Sequence, residues 1–298
     1  MTWRSHGDGP PVNAARPPRV DALTLRPRTA TALVLASLAG LLAFGWPLLV
    51  DPGTGLEHGL DAPLVLAVVL TAVVVVLAVA LGEGGLDVKA VAMLGLLAAI
   101  GSVLRPLSAG TAGVELVFVV VVLGGRALGP GFGFALGATT IFSSALLTGG
   151  VGPWLPFQML GAAWIGLGAG LLPRGIRGRG EVALLVAYGA AAGLAFGVAM
   201  NLSFWPFQVG PGTELSYVAG DPLGTNLARF ATFTAATSLG WDVGRAVTTA
   251  VGLAVLSRPV LRGLRRVATR ASFGPPVDAR SPRPSTPSSL PTGRVAGR

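Results

Sequence analysis

Long apolar runs separated by short polar breaks fill most of this chain. Eight stretches approach the ~20 residues a helix needs to cross a bilayer. They cover about 30–50, 63–82, 89–104, 113–127, 131–148, 155–173, 181–203 and 229–257. The third and fourth are short, and the fourth and fifth are joined tightly at Gly129-Pro130, beside Arg126. The stretches 1–28 and 271–298 are rich in Pro, Arg, Ser and Gly and poor in large apolar residues, a composition that predicts disordered tails. The pattern predicts an all-α integral membrane protein of about eight helices.

The polar breaks alternate in charge. Basic residues flank one set: Arg16, Arg19, Arg26 and Arg28 before the first run, Arg126, then Arg174, Arg177 and Arg179, and finally Arg258, Arg262, Arg265, Arg266 and Arg270. The break after the second run, with Glu83, Asp87 and Lys89, is ambiguous. The other set holds Asp51, Glu57 and Asp61, then Arg105, an uncharged turn at 149–154, and Glu214, Asp221 and Arg229. Basic loops stay on the cytoplasmic side, so both termini are expected in the cytoplasm of a multi-pass plasma-membrane protein. The stretch GGVGPWLPFQML, residues 149–160, then begins on the outer face.

Composition agrees with this class. Hydrophobic residues make up 52% of the 298 and charged residues 12%, where soluble domains carry about 25% charge. The net charge of +9 lies in tails and loops, so it reports orientation and not nucleic-acid binding. The absence of cysteine excludes disulfides, thiolate metal sites and thiol catalysis. The polar, Arg-rich start is unlike a cleavable signal, and the first run is expected to act as an uncleaved anchor.

Known catalytic patterns are missing. The single lysine, Lys89, sits in GGLDVKA and not in a phosphate-binding GxxxxGK[ST] loop. Both histidines, His6 and His58, lie outside the apolar runs, which removes a Ser–His pair or histidine metal site at membrane depth. Ser143 and Ser144 have no evident base, and Glu115 and Asp242 are too far apart in sequence to be read as a pair. No enzyme, cofactor or metal is expected.

Small residues recur every four positions: Gly129, Gly133 and Gly137; Ala162, Gly166 and Gly170; Gly189, Gly193 and Gly197. Such ladders bring helix backbones together within the bundle, and an outward-facing one can dock a partner. Gly95 and Ala99 are the candidates for docking.

Polar residues at membrane depth are costly and point to function. Glu115 opens the fourth run, Gln158 lies one turn into the sixth, and Asn201 and Trp205 end the seventh. Trp241, Asp242 and Arg245 lie within the eighth, and Arg105 ends the third. Each also has a structural reading. Glu115 suits a helix N-terminus, Gln158 an interhelical hydrogen bond, and Asn201 a cap. Asp242 and Arg245 are three apart and can pair on one face. Arg105 can snorkel, and the tryptophans can sit at the interface. Jointly Arg105, Glu115, Trp154, Gln158, Asn201, Trp205, Trp241, Asp242 and Arg245 fall on the outer side. An aromatic pocket with a few polar groups fits a small organic ligand, with the Pro/Gly-rich loop at 204–228 as a lid. Trp154 and Gln158 are four apart and share a helical face, which is expected to look into that pocket.

Residues 89–270 resemble the substrate-binding S component of energy-coupling factor (ECF) vitamin transporters, in particular an actinobacterial cobalamin-type group. The resemblance is carried by VELVFVVVVLGGRALGPGFGFALGATTIFSSALLTGGVGPWLPFQMLGAAWIGLGAGLLP, then SLGWDVGRAV and the basic RPVLRGLRRV. It implies a six-helix S-component-like domain at 84–270, preceded by a two-helix membrane extension at 29–83. It also implies a vitamin or related micronutrient, cobalamin-like, bound at the outer face without ATP hydrolysis by this chain. The implied partners are a transmembrane coupling subunit and two ATP-binding subunits, docked through small residues on the first core helix, here Gly95 and Ala99. The alternative is a self-sufficient secondary transporter or channel, for which inverted repeats are the usual sign; none is evident.

Overall fold

The computed structural model describes residues 21–23, 25–49, 68–76, 79, 87–108, 113–208 and 212–271. Its regular elements are helices: α1 (Pro27–Leu49), α2 (Val88–Ser108), α3 (Val117–Leu128), α4 (Pro130–Thr148), α5 (Leu155–Leu171), α6 (Arg179–Gln208), α7 (Leu223–Thr237) and α8 (Leu239–Ala271). Residues 68–76, within the expected second span, are also helical, and their Val69, Val73 and Val76 are buried in the main core. The rest of that span lies outside the described residues, as do 1–20 and 272–298 of the expected tails.

Five described helices are long and apolar enough to cross a membrane, over Pro27–Gly45, Val88–Leu107, Pro130–Thr148, Arg179–Pro206 and Leu239–Arg270. Two shorter apolar helices, α3 and α5, are central to the bundle. The 12 residues of α3 reach only about 18 Å, short of the ~30 Å hydrocarbon core. Nearly all of α3 is buried, so its neighbours and not lipid surround it.

The expected eighth span is two helices. The chain leaves helical geometry at Ser238 (φ −125°), so residues 229–237 belong to α7 and α8 starts at Leu239. There Thr237 Oγ1 donates to the Phe233 carbonyl at 2.7 Å and Ser238 Oγ to Asn201 Oδ1 at 3.1 Å, side-chain bonds of a kind that compete with helix continuation. The expected N-terminal tail also ends earlier than residue 28. The Ala22 amide donates to the Leu128 carbonyl, Ala22 and Leu23 are buried, and α1 begins at Pro27.

The glycine ladders explain how the helices pack. A Cβ on Gly133 would strike the Gly166 carbonyl, one on Gly166 would strike Gly133, one on Gly137 would meet Ala162, and one on Gly170 would meet Pro130. Two of the ladders read from sequence therefore face each other across α4 and α5. Backbone contact this close gains dispersion where lipid supplies no hydrophobic drive. The third ladder lies against α8: Gly189 abuts Thr249 and Leu253, Gly193 abuts Ala246, and Gly197 abuts Asp242.

Helix α1 covers the outside of α5 and α6. Phe44 packs edge-on to Phe157 at 5.1 Å and near Trp164, whose indole N–H donates to Ser37 Oγ at 3.0 Å. Helix α1 is thus joined to the bundle by aromatic packing and an interhelical hydrogen bond.

The helices run up and down, which gathers charge at two ends. At one end Arg126, at the C-terminus of α3, donates to Glu181 at 2.7 Å and to the carbonyls of Leu172, Pro173 and Ile176. Arg265 of α8 also grips Glu181, at 2.6 and 3.1 Å. The Arg126 side chain is 2% exposed and Arg265 44%. A cation at the end of α5 satisfies carbonyls that have no helical partner, and Glu181 offsets its charge.

A polar cavity at the opposite end of the bundle

The other end collects the C-termini of α2, α4 and α6 and the N-termini of α3, α5 and α8. There the chain leaves a cavity of about 340 Å³ lined by Arg105, Pro106, Gly113, Val114, Glu115, Ser144, Thr148, Gly150, Trp154, Trp241 and Arg245. A second cavity of about 260 Å³ is lined by Trp154, Gln158, Met200, Asn201 and Phe204. Trp154 forms a wall of both.

Local sequence sets each wall. Gly149 closes α4 in the left-handed conformation (φ 66°), the usual glycine terminator. The turn then reaches Trp154 as the residue before α5, and Pro156 occupies the first turn, where an amide hydrogen has no helical acceptor. The Gln158 amide donates to the Trp154 carbonyl, so the two residues share one face. That face lines the cavities. Gly113 (φ 79°) presses onto the Trp241 backbone, where a Cβ would collide, and this contact seats Glu115 beside α8.

The polar groups form two sets. Arg245 Nε donates to Glu115 at 2.6 Å and Arg245 Nη1 to Asp242 at 2.7 Å, with Arg245 Cζ 5.3 Å from the Phe196 ring. Two carboxylates far apart in sequence are therefore joined by one guanidinium. The Asp242–Arg245 pair expected from their spacing is present, and Glu115 completes it. In the second set Arg105 Nη2 donates to Gln158 Oε1 at 2.7 Å. Arg105 lines the first cavity and Gln158 the second, so this bond runs from one lining to the other, and Trp154 is common to both.

Of the nine residues expected to line a site, Arg105, Glu115, Trp154, Trp241 and Arg245 line the first cavity, and Trp154, Gln158 and Asn201 the second. Asp242 stands behind Arg245, 4% exposed. Trp205 is elsewhere. It is fully buried with Phe230 and Phe233, stacks edge-on to Tyr217, and donates its indole N–H to the Leu215 carbonyl at 2.7 Å. Its place on α6 and its type suited a pocket wall, but Phe230 and Phe233 of α7 enclose it. The lid reading changes with it. Asn226 clips both the amide and the carbonyl of Val218, and no described residue of 212–228 lines either cavity.

Sequence reasoning missed Ser144, Thr148, Met200 and Phe204 as wall residues. Ser144 was weighed only as a nucleophile. Thr148 is one turn further along α4, and no charge marked either. Gly95 and Ala99 lie on α2 away from the cavities. Both are exposed, and nothing stands within 4 Å of a Cβ built on Gly95.

A family model described as "ECF transporter, substrate-specific component" matches residues 89–254, more than half of the chain. No curated protein and no solved structure matches.

Proposed function

Because the chain belongs to the substrate-specific components of ECF transporters, we propose that the cavity walled by Trp154, Trp241, Arg105, Glu115 and Arg245 binds a vitamin-class micronutrient at the outer face. The family is one of transporters and not of enzymes, and it implies association with a coupling subunit and ATPases. The single observation that carries the proposal is the convergence of two half-exposed tryptophans and an ordered ionic set on one cavity. Its volume of about 340 Å³ lies at the lower end of the range for small-molecule sites.

Cobalamin stays the candidate suggested by resemblance. A corrinoid exceeds this volume and that of the two cavities together, so its binding requires the site to enlarge. A smaller planar vitamin or precursor fits without that change. Orientation follows the basic breaks: the Arg126–Glu181–Arg265 end is cytoplasmic, together with both termini. The α2 face around Gly95 and Ala99 is assigned to the coupling subunit.

The test is a thermal-shift screen of the detergent-purified chain, without partners, against vitamins and their precursors including cobalamin. A compound that binds only the folded state raises the melting temperature with occupancy. A clear shift from one compound, lost in Trp154→Ala, is expected. The reading fails if no compound shifts melting, or if the chain alone in vesicles transports the ligand, which is the behaviour of a secondary transporter.

A further inference from the structure

Away from the cavities, one face of α8 changes character along its length. Val243, Val247, Val251 and Val255 follow at four-residue spacing and are 46 to 66% exposed. Arg258, Arg262, Arg266 and Arg270 then keep the same spacing, and all four are exposed. A step of four residues turns an α-helix by about 40° and a step of three turns it back by about 60°, so the step from Val255 to Arg258 leaves both sets on one side. The opposite side is buried, through Leu253, Ser257, Leu261 and Ala268. Ala268 shares a cluster with Ala90 at the start of α2 and Leu128 at the end of α3, which fastens this end of α8 to the bundle.

The chain supplies no counter-charge for this row. None of the four arginines makes a side-chain hydrogen bond or ion pair among the described residues, and no acidic residue lies between Arg245 and Ala271. At the same end of the bundle Asp21 is taken by Arg174, and Glu181 by Arg126 and Arg265. Like charges four apart on a helix repel one another, so the row costs stability unless an anion lies along it. Depth suggests which anion. Helix α8 rises about 28 Å from Leu239 to Arg258, close to the ~30 Å of hydrocarbon in a bilayer. The valines therefore lie at the depth of acyl chains, and the arginines begin at the headgroups.

We propose that this face of α8 is a binding site for an anionic phospholipid, in the inner leaflet given the orientation above. The acyl chains lie along Val247, Val251 and Val255. The phosphate sits between Arg258 and Arg262, which are neighbours on the helix surface at i and i+4 and whose guanidinium forks match phosphate oxygens. Arg266 and Arg270 extend the positive field, each basic side chain near an anionic surface strengthening attraction about fivefold. Charge count alone accounts for orientation; it asks for neither a single helical face nor a valine row leading into it. A soluble acidic partner would meet the arginines and leave the valines uncovered, whereas a phospholipid covers both.

The experiment follows melting of the detergent-purified full chain as dioleoyl phosphatidylglycerol is added, against phosphatidylcholine with the same acyl chains. Phosphatidylglycerol is expected to raise the melting temperature by several degrees more, and salt raised from about 0.1 to about 1 M to erase most of that difference. Arg258→Gln combined with Arg262→Gln is expected to weaken phosphatidylglycerol binding at least about tenfold. Arg177→Gln combined with Arg179→Gln removes the same charge from exposed positions before α6 and is expected to leave binding nearly unchanged. If the α8 pair does not fold as Gln, the Lys pair decides: it keeps the charge, loses the fork and is expected to bind phosphatidylglycerol more weakly than the unaltered chain. Equal shifts from the two lipids, or equal losses in the two Gln pairs, overturn the proposal. So does an α8 pair that binds phosphatidylglycerol normally and loses co-purification with the coupling subunit, which gives the face to a protein partner. None of these results depends on the ligand of the cavity.

Discussion

Two tryptophans on neighbouring helices show how little residue type alone decides. Trp154 is 44% exposed and walls both cavities, whereas Trp205 is enclosed by Phe230 and Phe233 and holds Leu215 by its indole N–H. The two roles separate by substitution. Trp205→Phe removes one buried hydrogen bond worth about 1 kcal/mol and some ring area, so it is expected to lower the melting temperature by several degrees and leave ligand affinity unchanged. Trp154→Ala is expected to do the reverse. Melting and titration curves of both variants check the assignment, and a loss of affinity in Trp205→Phe would contradict it. At the opposite end, Glu181→Gln leaves Arg126 buried without a counter-charge. That is expected to cost about 3–5 kcal/mol, read as a large fall in melting temperature, while Arg265→Gln, at a half-exposed position, costs much less.

At the scale of the element, small residues at four-residue spacing carry opposite meanings on different helices. On α4 and α5 they are spent on contact: Gly133 and Gly166 meet backbone to backbone. Gly166→Leu therefore forces the two helices apart and is expected to abolish a stable fold, measured as loss of a monodisperse peak on gel filtration. On α2 the space beyond Gly95 is open. Gly95→Leu is expected to leave folding and ligand binding intact and to reduce co-purification with the coupling subunit. Unchanged co-purification would remove this face from the docking surface. The ladders were legible in the sequence because a four-residue period is a property of any helix. Which ladder faces inward was not legible, because that depends on the neighbour each helix meets.

For the whole molecule, the membrane class, the up-and-down order and the clustering of polar residues at one end could be read from the sequence. Apolar run length and loop charge depend only on the bilayer. The break at Ser238 could not, since α7 and α8 are both apolar enough to pass as one run. Nor could the joining of Glu115, Arg245 and Asp242, which needs the spatial neighbourhood of α3 and α8. The absence of cysteine makes orientation directly testable. Single cysteines at Gly150 and Arg266 are expected to react with an impermeant thiol reagent from the outside and the inside of cells respectively, and the opposite result would invert the cavity.

The measurement that tests the central claim most directly is calorimetric titration of the purified chain, alone, with the compound that raises its melting temperature most. The account predicts saturable binding to one site per chain without any partner, weakened at least about tenfold in Trp154→Ala, the loss of a central aromatic anchor. Binding that occurs only in the assembled importer, or that is unchanged in Trp154→Ala, would contradict it.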